Sequence, residues 1–383
     1  MPRLMFHVQH LLGVGHVARA AALTRGLVTA GISVTVAMGG EPVPTVDFGA
    51  AEVVQLPWIR AEDINFKTLL DSRGQVVGPA LFGHRRDLLL DLCRRIAPDI
   101  LLIEHYPFGR RKFSLELEPL IAAAAESGAL VLCSLRDVLV EKGDGSKAAS
   151  TVDAVQRSFD KVLVHGDRRI LPLDLTFPRA AEIEGRILYT GYVVDRRPVL
   201  AERVEDGRNE IIVSVGGGAV GLSLLEAAIG AKRLGAGGSR IWRLLAGANL
   251  KDADVDRLRS EAPTGLIVER ARQDFPALLG RAALSISQAG YNTLMDILQA
   301  RCRNILVPFA AAGESEQLFR ARVLERRGLV RILEETTLTH RTLARSIDEA
   351  LAGPPPPAAD GIDLSGAETT ARLILAMIET KRG

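Results

Sequence analysis

The chain has 383 residues, more than one hydrophobic core usually serves, so two domains are expected. Its 47% hydrophobic and 25% charged residues are a globular composition, and a net charge of +2 excludes a nucleic-acid binder that works by bulk charge. Its 3 cysteines, Cys93, Cys133 and Cys302, form no C-x-x-C pair, which argues against a disulfide framework or a cysteine zinc site and fits a reducing compartment.

The first residues run directly into a strand pattern without the charge-then-apolar order of a signal peptide. No apolar run reaches the roughly 18 residues a spanning helix needs. A cytoplasmic protein is expected, with peripheral contact at the inner face of a membrane left open.

In chain order, strands are predicted at Leu4–Gln9, Ser33–Met38, Val53–Leu56, Ile100–Glu104, Leu130–Leu135, Lys161–His165 and Ile187–Tyr189. Several are unbroken Val/Ile/Leu runs, as suits strands covered on both faces. Helical patterns at Val17–Ala30, Leu81–Arg95 and Leu115–Ser127 lie between them. A polar, charge-rich stretch over 196–209 reads as a linker. Beyond it, strands are predicted at Ile211–Val215, Trp242–Leu245, Leu266–Glu269, Leu284–Ser287, Ile305–Val307 and Val330–Leu333. The helices of this half fit Leu222–Leu234, Phe275–Leu279, Asn292–Gln299, Glu314–Arg327 and Arg341–Leu351. A proline run, Pro354–Pro357, precedes a last helix near Ala367–Thr380. The fold class is α/β, with two Rossmann-like domains facing each other across a cleft. The domains are expected at 1–195 and 210–357, with 358–383 as a terminal helix.

"GVGHVA", Gly13 to Ala18, matches G-x-G-x-x-A at the end of the first strand. Taken alone, Gly13 and Gly15 suggest a dinucleotide site, with Glu41 near the place of a ribose-binding acid. A glycine turn is also what any strand-to-helix corner needs. His16 speaks against the dinucleotide, because a titratable ring at a helix start can take a proton from an attacking hydroxyl. His7 and His10 have weaker claims. Its bland reading is a histidine bonded to local backbone. "IEHYPFGRRKF" places Glu104 and His105 at a strand end, followed by Arg110, Arg111 and Lys112. This suggests recognition of an anionic acceptor group, or else a solvated basic loop. In "SLRD", Arg136 and Asp137 read as a local pair.

In the second half, "VSVGGGAVG" brings Gly216, Gly217 and Gly218 to a helix start without the Lys-Ser/Thr of a Walker A loop. "SISQAGYNTLMDIL" ends a strand near Gln288, turns through Ala289 and Gly290, and starts a helix. Asn292 and Asp296, one turn apart, share a face there, and the carboxylate could accept both ribose hydroxyls. In "ESEQ", Glu316 and Gln317 suit sugar hydroxyls, although acids at a helix start also complement its dipole.

Together these segments resemble the GT-B glycosyltransferases, within them the family 28 branch that contains MurG. "GVGHVARAAAL", "SVGGGAVG", "SQAGYNTLMDIL" and "VPFAAAGESEQLFRARVLERRG" are each similar to a segment of that family. The resemblance implies an inverting, metal-independent transfer of a sugar from a nucleotide-diphosphate sugar, most simply a UDP-sugar, to an acceptor hydroxyl. The acceptor is not named beyond a glycan or a lipid-linked hydroxyl, and no nucleic-acid partner is expected. His16 would be the base, with Glu104 as the lesser candidate. Gly13, Gly15, Arg19, His105 and Arg110 would face the acceptor. Gly216–Gly218 would lie near the donor diphosphate, Gln288–Gly290 at the nucleobase, and Asn292, Thr293 and Asp296 around the ribose. Glu316 and Gln317 would hold the donor sugar. No Asp-x-Asp motif is read from the sequence, and no metal or cofactor is expected. Asp296 stands where the family has Glu, Gly218 where it has Ser, and Arg320 where Asn is common. The rival readings are a sugar-nucleotide hydrolase or epimerase, an NAD(P)-dependent oxidoreductase using Gly13–Ala18, and a silent sugar-nucleotide binder.

Overall fold

The computed structural model describes residues 1–63, 66–139, 146–196, 205–216, 221–309, 316–357 and 361–382. The chain divides into two compact units, one of Met1–Val194 with Ile362–Gly383, the other of Asp195–Gly361.

The first unit runs β1 (Arg3–Val8), α1 (Gly15–Thr29), β2 (Ser33–Met38), β3 (Glu52–Gln55), β4 (Arg60–Ala61), β5 (Leu69–Leu70), α2 (Pro79–Ile96) and β6 (Ile100–Glu104). It continues with α3 (Ser114–Glu126), β7 (Leu130–Arg136), α4 (Ser146–Ser158), β8 (Lys161–His165) and β9 (Ile187–Tyr189). Its main sheet has 7 strands in the order β3-β2-β1-β6-β7-β8-β9. Every neighbour is parallel. Strand order reverses between β1 and β6, and at such a switch point the loops leaving the two carboxyl ends diverge and open a crevice.

Alternation along each strand decides which face a side chain takes. Leu4, Phe6 and Val8 of β1, with Ile100 and Leu102 of β6, share a core with Val17, Leu23 and Leu27 of α1. Met5 and Leu101 instead join Leu89 of α2 and Leu117 and Leu120 of α3. The terminal helix α11 (Gly366–Arg382; numbered in chain order, with α5–α10 in the second unit) returns to this unit. Ala367, Ala371, Ile374 and Ile378 bury themselves in the α1 core. Gly26 permits that approach, since a Cβ there would sit 2.7 Å from the Cβ of Ala367.

A buried polar cluster fixes the carboxyl ends of β1 and β2. Arg85 of α2 donates from Nε and Nη2 to the two oxygens of Glu116, both at 2.7 Å. Its remaining donors reach Gln9 Oε1 and the carbonyls of Gly39 and Pro57, so all five guanidinium N–H groups are used.

The second unit runs β10 (Ile211–Ser214), α5 (Leu222–Arg233), β11 (Trp242–Ala246), α6 (Asp252–Glu261), β12 (Leu266–Arg270), α7 (Phe275–Leu279) and β13 (Leu284–Ser287). Then come α8 (Tyr291–Ala300), β14 (Asn304–Leu306), α9 (Glu316–Glu325) and α10 (His340–Ala352). Its parallel sheet of 5 strands has the order β12-β11-β10-β13-β14, so the switch point lies between β10 and β13. Arg243 of β11 is buried among Asp206, Glu210 and Glu269, which ties the chain entering this unit to the sheet. Of the expected linker, residues 197–204 lie outside the described residues.

Two expectations change. Val330–Leu333 makes no strand, because only Ile332 bridges Leu306. Helices α4 and α6 and the β4–β5 pair were not anticipated.

Candidate functional site

Each unit has a switch point in its strand order, the place where α/β sheets form ligand crevices. In the first, His7 of β1 pairs with Ile103 of β6, so the glycine turn and the Glu104–Arg110 loop leave the sheet side by side. Gly13 adopts a left-handed φ of +69°, and α1 starts at Gly15 with no side-chain cap. His16 therefore stands in the first turn of α1, where the helix dipole favours a neutral ring.

Glu104 is the last residue of β6 and points to the α1 face. Its Oε1 accepts from His16 Nδ1 at 2.5 Å and from Arg19 Nη2 at 2.7 Å. Arg136, which ends β7, holds its Nη2 2.5 Å from His16 Nε2. The register explains this reach: Glu104 pairs with Ser134, and Arg136 lies two residues farther along the same face. A guanidinium only donates and an ionised carboxylate only accepts, so Nδ1 of His16 carries the proton and Nε2 the lone pair.

Burial, with the charge of Arg136, lowers His16 to about 4 against the opposing pull of Glu104. Burial would raise Glu104, but the charge and hydrogen bond of His16 and the charge of Arg19 hold it well below the usual carboxylate range. The His105 ring meets His16 edge to face at 5.8 Å between centroids. Burial and then Arg110 hold His105 well below its ordinary value. His10, also buried, drops to about 4.

Several expected roles shift. Arg19 is 2% exposed and braces Glu104 from the interior, so it is no acceptor contact. Glu104 is 1% exposed and stands behind His16, and a rival base would need to face solvent. In the basic cluster only Arg110 turns toward the histidines, with Nε on the Gln9 carbonyl at 2.9 Å. Arg111 binds Lys147 and Thr151, and Lys112 binds the Phe66 and Lys67 carbonyls. Arg136 was read as pairing locally, and its contact with His16 was missed. The available signal was a charge closing a buried strand. His7 faces the other side of the sheet, 3.7 Å from Glu116.

In the second unit, Ser214 of β10 pairs with Ser287 of β13. Gly216, with φ +66°, opens the glycine loop, whereas Gly217 and Gly218 lie outside the described residues. The Gln288 N–H donates to the Ser214 carbonyl at 3.2 Å, and Gln288 and Ala289 are buried beneath the crevice. Gly290 enters α8 in an extended conformation without a side-chain cap, which suits an anion. Asn292, Thr293 and Asp296 are partly exposed along the first turns of α8. Burial, with the charge of Asp195 adding, raises Asp296 to about 7.

Glu316 accepts from Arg320 at 2.8 Å, and the Arg320 guanidinium lies 5.4 Å from the Tyr291 ring centroid. Glu316 thus neutralises a fully buried cation that stands where Asn was expected. Gln317 Oε1 accepts the Phe309 N–H at 3.1 Å, joining α9 to the end of β14. Asp-x-Asp spacings do occur outside the four segments, at Asp252, Asp254 and Asp256. They sit at the exposed start of α6, where Asp252 pairs with Arg270 and Asp256 with Arg259. Among the described residues no group of His, Cys, Asp and Glu is arranged to hold a metal.

Residues 212–371 match the glycosyltransferase family 28 C-terminal domain. That match runs from β10 to the start of α11. The chain is 33% identical over 79 residues to the UDP-N-acetylglucosamine--N-acetylmuramyl-(pentapeptide) pyrophosphoryl-undecaprenol N-acetylglucosamine transferase of Clostridium novyi (strain NT). That match spans 20% of this chain and 22% of the relative. The MurG crystal structure from Acinetobacter baumannii superimposes with TM-score 0.57 at 16% identity, over 99% of this chain and 100% of that one. The glycotransferase of kitacinnamycin superimposes with TM-score 0.66 at 17% identity, also over 99% and 100%. The fold is GT-B.

Proposed function

We propose that the protein is a glycosyltransferase that moves a sugar from a nucleotide-diphosphate sugar, most simply a UDP-sugar, to an acceptor hydroxyl with inversion and without a metal. The single observation that carries the reading is the His16–Glu104 pair at the β1/β6 switch point, on a chain whose residues 212–371 match the family 28 C-terminal domain.

In this reading Glu104 fixes the Nδ1–H tautomer and stabilises the imidazolium that forms, and Arg19 keeps Glu104 ionised. His16 Nε2 takes the acceptor proton while the hydroxyl oxygen attacks the anomeric carbon from the face opposite the departing diphosphate. The uncapped start of α8 and the loop at Gly216 neutralise the charge on that leaving group. Asp296 accepts the ribose hydroxyls, and Glu316 and Gln317 lie nearest the sugar. The acceptor is a glycan or a lipid-linked hydroxyl. Among the described residues no helix is long and apolar enough to cross a membrane.

The dinucleotide reading loses support at the corner between β1 and β2. There the His10 ring lies against Gly40 and the Gln9 side chain against Gly39, where a dinucleotide would need room. The test is UDP release from a panel of UDP-sugars with and without hydroxyl acceptors, for wild type and His16→Ala. Acceptor-dependent release that falls by about 10²-fold or more in the variant is expected of a lost general base. Equal release by both proteins removes His16 from the reaction, and full release without acceptor makes the protein a hydrolase.

A further inference from the structure

The first unit carries a groove that the proposed reaction does not use. Helix α3 packs against α2, and α4 against the short turn at Ala180–Arg186. Between α3 and α4 lies a cavity of about 520 Å³, within the roughly 300–1,000 Å³ of small-molecule sites. Ile121, Val131 and Phe159 of its floor belong to the core that Met5 and Leu101 share with α2 and α3. The groove is therefore on the face of the sheet opposite His16 and Glu104. At the bottom, Tyr106 is 5% exposed and Phe159 2%, with ring centroids 6.3 Å apart. Glu118, Ala122 and Ala125 line the α3 wall about one turn apart, and Ala154 and Arg157 line the α4 wall. Small side chains let neighbouring helices close toward about 8 Å, but these alanines face open space.

Some polar groups of the groove are engaged by the fold. Arg186 donates to the carbonyls of Gln156 and Phe159, and Asp160 accepts the Val131 N–H at 2.7 Å. These contacts hold the end of α4 and the start of β7. Two other groups are left for a visitor. Tyr106 Oη donates to Glu118 Oε1 at 3.1 Å, and Oε2 of Glu118 stays open. Burial and then Glu118 push the Tyr106 phenol above its ordinary value, so it remains a donor. On the opposite wall, Arg157 makes no ion pair or hydrogen bond among the described residues. A carboxylate oxygen and a guanidinium thus face each other over an aromatic floor.

We propose that this groove binds a small zwitterion with an apolar body, an α-amino acid with a large apolar side chain. Its ammonium meets Glu118, its carboxylate meets Arg157, and its side chain lies over Tyr106 and Phe159. A carboxylate and the nearby Tyr106 ring both attract the ammonium, and a guanidinium pairs with a carboxylate through two N–H donors. A ligand with one charge leaves the other wall solvated and gains less. The inference does not depend on the transferase reading, because no residue of the groove takes part in that reaction.

The test is calorimetric titration of the full chain, near neutral pH, with L-phenylalanine, phenethylamine and 3-phenylpropionate. L-Phenylalanine should saturate at millimolar concentration or below. Each singly charged probe should bind about fivefold more weakly or worse, the scale of one hydrogen bond to a charged group. Glu118→Gln should weaken L-phenylalanine and phenethylamine but spare 3-phenylpropionate. Arg157→Gln should weaken L-phenylalanine and 3-phenylpropionate but spare phenethylamine. Ala125→Phe and Ala154→Leu fill the groove from its two walls and should abolish binding, with the urea midpoint of each variant checking that it is folded. The proposal is overturned if L-phenylalanine does not bind at millimolar concentration, if all three probes bind equally, or if binding survives both filling variants. It is also overturned if either charge variant weakens all three probes alike. UDP binding on the same preparation reports separately on the transferase reading.

Discussion

Acid should destabilise the first unit through His16, by an amount that can be worked out. The unfolded chain takes up the ring proton near 6.5 and the folded one only near 4. The contribution is thus fully present above about pH 6.5, is lost as pH falls through that window, and levels off below about 4. At about 1.4 kcal/mol per pH unit the whole window amounts to roughly 3 kcal/mol, of which about 2–3 kcal/mol is lost between pH 7.5 and 4.5. Glu104 stays ionised across the window, because its carboxyl titrates well below it. The assay is urea unfolding at the two pH values, followed by Trp58 fluorescence in a Trp242→Phe background so that only the first unit reports. His10 titrates in the same window, so the comparison must be wild type against His16→Gln rather than against a calculated curve. His16→Gln should lose about 2–3 kcal/mol less than wild type on acidification. An equal loss by both proteins would mean that His16 protonates freely in the folded state, and the clamp between Glu104 and Arg136 would be refuted.

Four further perturbations follow from named contacts. Arg85→Met leaves Glu116 buried without its partner and should cost the first unit about 3–5 kcal/mol in urea unfolding. Gly26→Val drives side-chain atoms into Ala367 and should cost about 1–3 kcal/mol, read as a lower unfolding midpoint. Arg320→Ala removes a fully buried guanidinium that pairs with Glu316 and lies over the Tyr291 ring, and should destabilise the second unit by about 3 kcal/mol, followed by Trp242 fluorescence. Since Asp296 titrates near 7, UDP affinity measured by calorimetry should rise about tenfold from pH 6 to 8 as the carboxylate forms, and Asp296→Asn should flatten that rise.

Most of the architecture was legible because buried parallel strands announce themselves. Ile100–Glu104, Lys161–His165 and Leu284–Ser287 are short apolar runs between helical patterns, and they form strands with those bounds. The helix α4 was silent: over Ser146–Ser158 only Ala148, Thr151, Val152 and Val155 are buried, too small an apolar face to stand out. Likewise α6 buries only Val255 and Leu258. Val330–Leu333 has a strand's composition but meets the sheet at one residue, and no local pattern records how many partners a segment finds. The place of His16 at the start of α1 was legible because a bulky ring in a glycine turn is anomalous by itself. The roles of Arg19, Glu104 and Arg136 were not, because they depend on the lateral register of β6 and β7 and on which face α1 covers. Arg320 was visible as a departure from the family pattern. That it would neutralise Glu316 became evident only once α9 had set the two one turn apart.

The measurement that tests the central claim most directly is calorimetric titration of the protein with UDP, GDP, TDP and NADH, wild type beside Asp296→Ala. The account predicts saturable binding of one nucleoside diphosphate, weakened in the variant, and no binding of NADH. Binding of NADH that ignores Asp296 would move the ligand to the glycine turn of the first unit and contradict the transferase reading.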